Sequence, residues 1–428
     1  MLGSCWREFG ISDRLVKLAE EVEQSLAPLF QQIDLVTEHN QLKVVRALQR
    51  QQLSDWHLNG STGYGYGDVG REALDAAFAE IMQTEAAIVR PHFVSGTHAL
   101  ACALLGNLRP GDQMLLGSGK PYDTLEKVIG LKPAPLGNSL LDLGVEHQII
   151  PLGPNGDLDM PAILAAITPR TRLLHLQRSR GYSLRPALSM SAIAEVTAAV
   201  HARSPQTIVF VDNCYGEFVE WQEPGAVEVD LLAGSLIKNP GGGLATSGGY
   251  IAGREEFVAR AAERLAAPGL GREMGATSGQ LRSIFQGLFL APSAVGAAVK
   301  GAVFAAGLFQ QLGYPVSPLV GEPRRDIIQA VQLPGPEQVI AFCQGVQAAS
   351  AVDAHVQPEP GQLPGYSDPV IMAAGTFILG ASLELSADAP IRPPYTVFLQ
   401  GGLTYAHAKL GAMLAASRVQ AITAGERA

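Results

Sequence analysis

Apolar residues at Leu15, Leu18, Val22, Leu26 and Leu29 recur at helical spacing and predict a helical stretch over residues 11–53. "NGSTGYGYGDVG", Asn59 to Gly70, then interrupts any helix with five glycines. Helical spacing returns over Arg71–Gln83. From there short apolar runs alternate with amphipathic stretches. "AAIVR", "QMLLGS", "HQIIPL", "RLLHLQRS", "TIVFVDN", "DLLAGSLIK" and "GGYIAG" read as strands. "SGTHALACALLG", "YDTLEKVIG", "DMPAILAAI" and "MSAIAEVTAAVHAR" read as the helices between them. That alternation predicts an α/β fold with a mostly parallel central sheet flanked by helices. After about residue 300 the texture changes to a long helix, Pro-rich segments and "TFILGASLELSADAPIRPPYTVFLQGG", which predict a smaller C-terminal α+β domain. The expected organisation is an N-terminal helical segment (1–60), a large α/β domain (61–300) and a small domain (301–428). A chain of 428 residues is too long for one core, which agrees with more than one lobe.

Composition narrows the function classes. Hydrophobic residues make up 47% and charged residues 17%, a globular balance. A net charge of −9 repels phosphate backbones and argues against nucleic acid. Cys5, Cys102, Cys214 and Cys343 form no CxxC pair, so a reducing, cytoplasmic setting is expected and a zinc site is not. "MLGSCWREFG" carries charges where a signal peptide needs an apolar core. "SAVGAAVKGAVFAAGLF" is broken by Lys300 and reads as a buried helix and not as a membrane span.

Two of the predicted strands finish on ionisable groups. Asp212 closes "TIVFVD" and Lys238 closes "DLLAGSLIK". Alone, an acid there reads as a cap or salt bridge and a lysine as surface. In tandem at the carboxyl ends of strands they are more informative, because such ends gather functional side chains. An amine held in partly apolar surroundings is expected to have a lowered pKa, and a neutral amine attacks an aldehyde to form a Schiff base. A carboxylate one strand away can hold a protonated pyridine nitrogen. Together these groups match what a protein contributes to pyridoxal 5'-phosphate. "SGTHAL" follows a strand and opens a helix. Ser95, Gly96 and Thr97 there suit a phosphate, although an ordinary helix cap explains them equally well. Ser235 adds a hydroxyl three residues before Lys238. Tyr122, in "GSGKPYDTL", also falls at a strand's carboxyl end and can stack on a pyridine ring. The glycines after Lys238 are expected to let backbone and cofactor approach closely.

The ordered motifs "GYGYGDVGRE", "VSGTHAL", "LRPGDQMLLGSGKPYDTL", "QRSRGYS", "VDNCYGEF", "IKNPGGGLATSGGYIAG" and "FLQGGLTY" resemble the methionine gamma-lyase-like proteins. These are often labelled aluminium-resistance proteins and belong to the cystathionine-lyase branch of the fold-type-I, pyridoxal-phosphate-dependent transferase-like enzymes. The resemblance spans roughly residues 55–410. It implies that Lys238 is the Schiff-base lysine and that Asp212 faces the pyridine nitrogen. It implies that Gly96 and Thr97, helped by Ser235, bind phosphate, and that Tyr122 stacks on the ring. Tyr64 or Tyr66, with Arg71, would reach a neighbour's phosphate across the interface of a homodimer or homotetramer. Two departures stand out. Ile237 precedes the lysine where relatives often carry Ser or Thr. "YTVFLQGGL" also lacks the arginine that clamps the substrate carboxylate in the cystathionine lyases. Arg392 in "IRPPY", or Arg178 and Arg180 in "QRSRGYS", are the candidates to replace it, though surface salt bridging explains the latter two as well. The implied activity is carbon–sulfur β- or γ-elimination on an amino acid, with transamination as the rival on the same scaffold. Metal sequestration is disfavoured because the histidines are scattered, with His92 and His98 the closest pair, and no His, Cys or carboxylate cluster has ligand spacing. A nicotinamide site fails because "GYGYGDVG" follows no strand.

Overall fold

The computed structural model describes residues 2–133, 136–362 and 368–425. It forms two units, residues 39–291 and residues 1–38 together with 292–428. The helical segment expected over 1–60 is therefore not separate. Its first 38 residues fold with the C-terminal part, and the rest belongs to the large unit. The boundary expected at residue 300 falls at Pro292, inside the helix Leu281–Gln311. That helix is long and apolar enough, by length and composition, to cross a membrane, so Lys300 does not shorten the run as expected. The buried-helix reading holds: 72% of its most apolar window is covered by the rest of the protein.

The large unit is built on seven strands: β1 (Ala86–Arg90), β2 (Gln113–Leu116), β3 (Glu146–Ile149), β4 (Thr171–Gln177), β5 (Ile208–Asp212), β6 (Leu231–Ser235) and β7 (Gly249–Gly253). Their spatial order is β1-β7-β6-β5-β4-β2-β3. Strand β7 runs antiparallel to both neighbours, and the other pairings are parallel. β2, β5, β6 and β7 are buried along their whole length, as expected of apolar runs covered by helices on both faces. The edge strand β3 is instead mostly exposed, with Glu146 among the exposed residues; its carboxylate pairs with both Nη atoms of Arg170 at 2.8 Å. On one face Phe93, Leu104, Phe210 and Phe257 join a single apolar cluster. The helix Gly96–Asn107 lies in that layer, where a Cβ at Gly106 would stand 2.7 Å from the Arg260 carbonyl oxygen of the helix Glu255–Leu265.

The second unit holds an antiparallel sheet of β8 (Val316–Ser317), β9 (Ile328–Gln332), β10 (Val370–Ala373), β11 (Ser386–Pro390) and β12 (Thr396–Gln400), in the order β10-β11-β12-β9-β8. Against it pack the helices Pro336–Ala349 and Tyr405–Thr423. The N-terminal helix Asp13–Ser25 joins the same core because its stripe of Leu15, Val16, Ala19 and Val22 buries there.

Candidate active site

The parallel register aligns the carboxyl ends of the central strands. Gln177 of β4 stands beside Asp212 of β5, and Asp212 beside Ala233 of β6. The segments that leave these ends converge on one edge of the sheet, where ligands bind in such folds. Asp212 is 6% exposed, and its Oδ1 accepts from the Cys214 backbone N at 3.2 Å. Burial raises its pKa, and the charge of Lys238 pulls it back down.

Lys238 departs from the sequence reading in two ways. Strand β6 ends at Ser235, and Lys238 lies three residues beyond, opening the single turn Asn239–Gly241. Its pKa is raised and not lowered. Burial does pull it down, but Cys214, Tyr215, Asp212 and Glu217 surround the ammonium with acidic groups and prevail. Lys238 is partly exposed, and its Nζ lies 4.0 Å from the centroid of the Tyr215 ring. The following glycines also serve another purpose than expected. A Cβ at Gly241 would fall 1.9 Å from the Leu236 carbonyl oxygen, and one at Gly242 2.1 Å from that of Gly287. The glycines let the turn fold tightly on its own strand and on the neighbouring helix.

Ser95 caps the helix Gly96–Asn107, its Oγ accepting from the His98 N at 3.1 Å. The N-terminus of that helix abuts the end of β6: a Cβ at Gly96 would lie 3.0 Å from the Cβ of Ser235. The Ser235 hydroxyl is buried there and has no hydrogen-bond partner. Such a group is costly unless something else satisfies it. Thr97 Oγ1 lies 2.8 Å from Thr124 Oγ1, which ties the helix to the segment carrying Tyr122. The Tyr122 backbone N donates to Gln177 Oε1 at 2.7 Å, and its ring centroid is 5.7 Å from that of Tyr182. An amine, a buried carboxyl and an unmatched hydroxyl at a helix N-terminus, flanked by aromatic rings, form a donor set that fits a phosphorylated pyridine aldehyde.

The remaining candidates separate. Tyr64 and Tyr66 are 70% and 65% exposed and pair with each other at 5.7 Å between centroids. Arg71 is buried beneath their loop. It donates to the carbonyls of Gly65 at 2.8 Å, Gly275 at 2.9 Å and Glu273 at 3.1 Å, so it shapes the loop from within. Arg178 is fully buried. Its guanidinium meets Glu220 at 2.9 Å, Glu223 at 3.4 Å and the Asn213 Oδ1 at 2.8 Å, which uses it as an internal brace and not as a substrate ligand. Arg180 lies in the turn that sets Gly181 against the Tyr122 ring. Arg392 belongs to the other unit and pairs with Asp368 at 2.6 Å.

Four groups of the site were not singled out by sequence. Cys214 caps Asp212, Tyr215 faces Lys238, Tyr182 flanks Tyr122, and Glu217 lies buried with its Oε1 accepting from the Tyr250 hydroxyl at 2.6 Å. Tyr215 holds a left-handed φ of 71°, uncommon for a residue with a side chain. The signal available in sequence was "CYGEF" itself, an aromatic and an acid directly after a strand that ends in a carboxylate.

Comparison with known proteins shows the family of the chain. Residues 15–420 match the family model of methionine gamma-lyase. The uncharacterized protein YnbB of Bacillus subtilis is 48% identical over 395 residues, 92% of this chain and 94% of that one. The solved structure of a carbon-sulfur lyase involved in aluminum resistance from Clostridium novyi is 45% identical. It superposes with a TM-score of 0.94 and covers 97% of this chain and 98% of its own. L-methionine gamma-lyase of Pseudomonas putida is 27% identical over 198 residues, 46% of this chain and 45% of that one. With its mostly parallel seven-stranded sheet and smaller antiparallel sheet, this α/β chain has the fold-type-I architecture and belongs to the methionine gamma-lyase family.

Proposed function

We propose that the protein is a pyridoxal-phosphate-dependent carbon–sulfur lyase acting on an amino acid. The observation that carries this reading is the convergence of Lys238, Asp212 and the unpartnered Ser235 hydroxyl at one carboxyl-terminal edge of the sheet. Lys238 Nζ would hold the cofactor covalently, and the Asp212 carboxylate would keep the pyridine nitrogen protonated. Gly96, Thr97, Ser95 and Ser235 would receive the phosphate, and Tyr122 would cover the ring. When bound, the cofactor supplies an electron sink that makes the substrate Cα proton acidic. Lys238 Nζ is the base that takes that proton. The Tyr122 hydroxyl stands as the acid for the departing sulfur, whether it leaves from Cβ or from Cγ. Arg180, buried in the turn against the Tyr122 ring, is the candidate for the substrate carboxylate, since Arg178 is occupied by its glutamates and Arg392 by Asp368. The exposed Tyr64–Tyr66 pair suits a role in a neighbouring subunit's site, in a homodimer or homotetramer. The free cysteines suit a reducing cytoplasm.

The test combines colour and product. Protein saturated with pyridoxal phosphate is expected to show a visible absorption band and to release ammonia and a 2-oxo acid from a thioether or thiol amino acid with no acceptor added. Lys238→Ala is expected to lose both the band and the release. Turnover that survives in Lys238→Ala refutes the assignment. Turnover that requires a 2-oxo acid acceptor favours the aminotransferase reading instead.

A further inference from the structure

A buried acid lies beside Lys238 that the proposed chemistry does not use. Glu217 is 0% exposed. Its Oε1 accepts from the Tyr250 hydroxyl at 2.6 Å, and its Oε2 has no partner. Both groups press on β6 at Gly234, where a Cβ would lie 2.7 Å from the Tyr250 oxygen and 2.9 Å from Glu217 Oε1. Its backbone carbonyl accepts from Asn239 Nδ2 at 3.0 Å, which couples Glu217 to the residue after Lys238. The groups that act on it are Tyr250 from β7, Lys238 after β6, Arg178 after β4, and Cys214 and Glu223 on its own loop. Those that act on Lys238 are Cys214, Tyr215, Asp212 and Glu217. A carboxyl that keeps one oxygen unmatched in a sealed space is a place to hold a proton.

We propose that the Glu217–Tyr250 pair is a buried proton holder that positions and tunes Lys238, setting the pH range over which the Lys238 amine is available to an aldehyde. The proposal rests on the cofactor reading above. Burial lifts the Glu217 pKa to about 8, within reach of working pH, while the Tyr250 hydrogen bond opposes that rise. Below that pH the carboxyl is neutral. Above it the new anion stabilises the Lys238 ammonium and holds back the neutral amine, whose addition to an aldehyde carbon forms a C=N bond and releases water. Glu217 acts through Lys238 and is a positioning residue.

The test follows covalent capture of pyridoxal phosphate by the cofactor-free protein, trapped with borohydride and counted by mass, from pH 6.5 to 9.5. In the wild type the rate rises with pH and flattens above about 8. Glu217→Gln is expected to remove the bend, matching the wild type at pH 6.5 and capturing about fivefold faster at pH 9.5. Tyr250→Phe is expected to move the bend upward, because the carboxyl loses a donor that favours its ionised form. The infrared band of a protonated carboxyl should titrate with the bend and vanish in Glu217→Gln. A bend unchanged in Glu217→Gln, or no such band in the wild type, overturns the role given to Glu217 alone. No capture by the wild type at any pH overturns the cofactor reading and this inference with it.

Discussion

Arg178 and Lys238 both follow the carboxyl end of a parallel strand, and both enter crowded surroundings. They differ in what meets the cation. The Arg178 guanidinium is bracketed by Glu220, Glu223 and Asn213, and Gly216 has no Cβ because one would lie 2.4 Å from the arginine Cδ. Lys238 lies against the face of Tyr215, and Asp212 and Glu217 act on it through the field. Beside it the Ser235 hydroxyl is left without a partner. The difference teaches that position at a strand end does not by itself mark a functional group. A charge that the protein has already matched braces the fold. Groups left partly unmatched at the same edge are available to a ligand.

Breaking the matched side should give the largest effect. Arg178→Ala leaves the half-buried Glu220 without its cation and the buried Glu223 with only Lys43 at 3.8 Å, and is expected to cost about 3–5 kcal/mol in urea unfolding of the cofactor-free protein. Lys238→Ala in the same measurement is expected to change stability by less than half as much, because Asp212 and Glu217 act on the lysine through the field and not as a direct ion pair. Equal losses would erase the contrast. Next comes Asp212→Asn. Asparagine keeps the shape but cannot hold a pyridinium, so turnover is expected to fall on the order of a hundredfold while the visible band persists. Stability of the cofactor-free protein should hold or rise, since a buried carboxyl whose pKa is already raised by burial is replaced by a neutral amide.

Much of this site could be read from sequence because its logic is local. Apolar runs that end in Asp212, and in Ser235 with Lys238 just beyond, announce buried strands with polar termini, and the sheet aligns those termini through its parallel register. The fate of the arginines could not be read that way. "QRSRGYS" does not reveal that Glu220 and Glu223, some forty residues on, turn back to occupy Arg178. Glu217 looks in sequence like an ordinary loop acid, and only the closure of β7 over β6 brings Tyr250 to it. The expected fall in the Lys238 pKa failed for the same reason. Strand-end burial was foreseeable, but the acidic groups gathered from several segments were not. The first 38 residues showed their apolar stripe plainly, yet a stripe does not name the core it will cover.

The smallest predicted effect discriminates most finely, because its two readouts have opposite signs. Ser235 Oγ is buried without a hydrogen-bond partner at the end of β6, with the Gly96 helix terminus directly against it. If that hydroxyl is kept for a phosphate, removing it leaves the cofactor-free protein no worse off, because the lost group was unsatisfied. Ser235→Ala should therefore be neutral or stabilising by up to about 1 kcal/mol in urea unfolding. Cofactor affinity should move the other way, weakening about 10–100-fold for one hydrogen bond to a charged acceptor, measured by titration of the visible band. Ser189→Ala, at the cap of the helix Met190–Arg203, offers the control. It removes a cap whose Oγ accepts from the Ala192 N at 3.1 Å, so it should cost stability by about 1 kcal/mol whether or not cofactor is present. Destabilisation by Ser235→Ala with unchanged affinity would place Ser235 with Arg178 among the braces, and the phosphate would have to find its donors elsewhere on that edge.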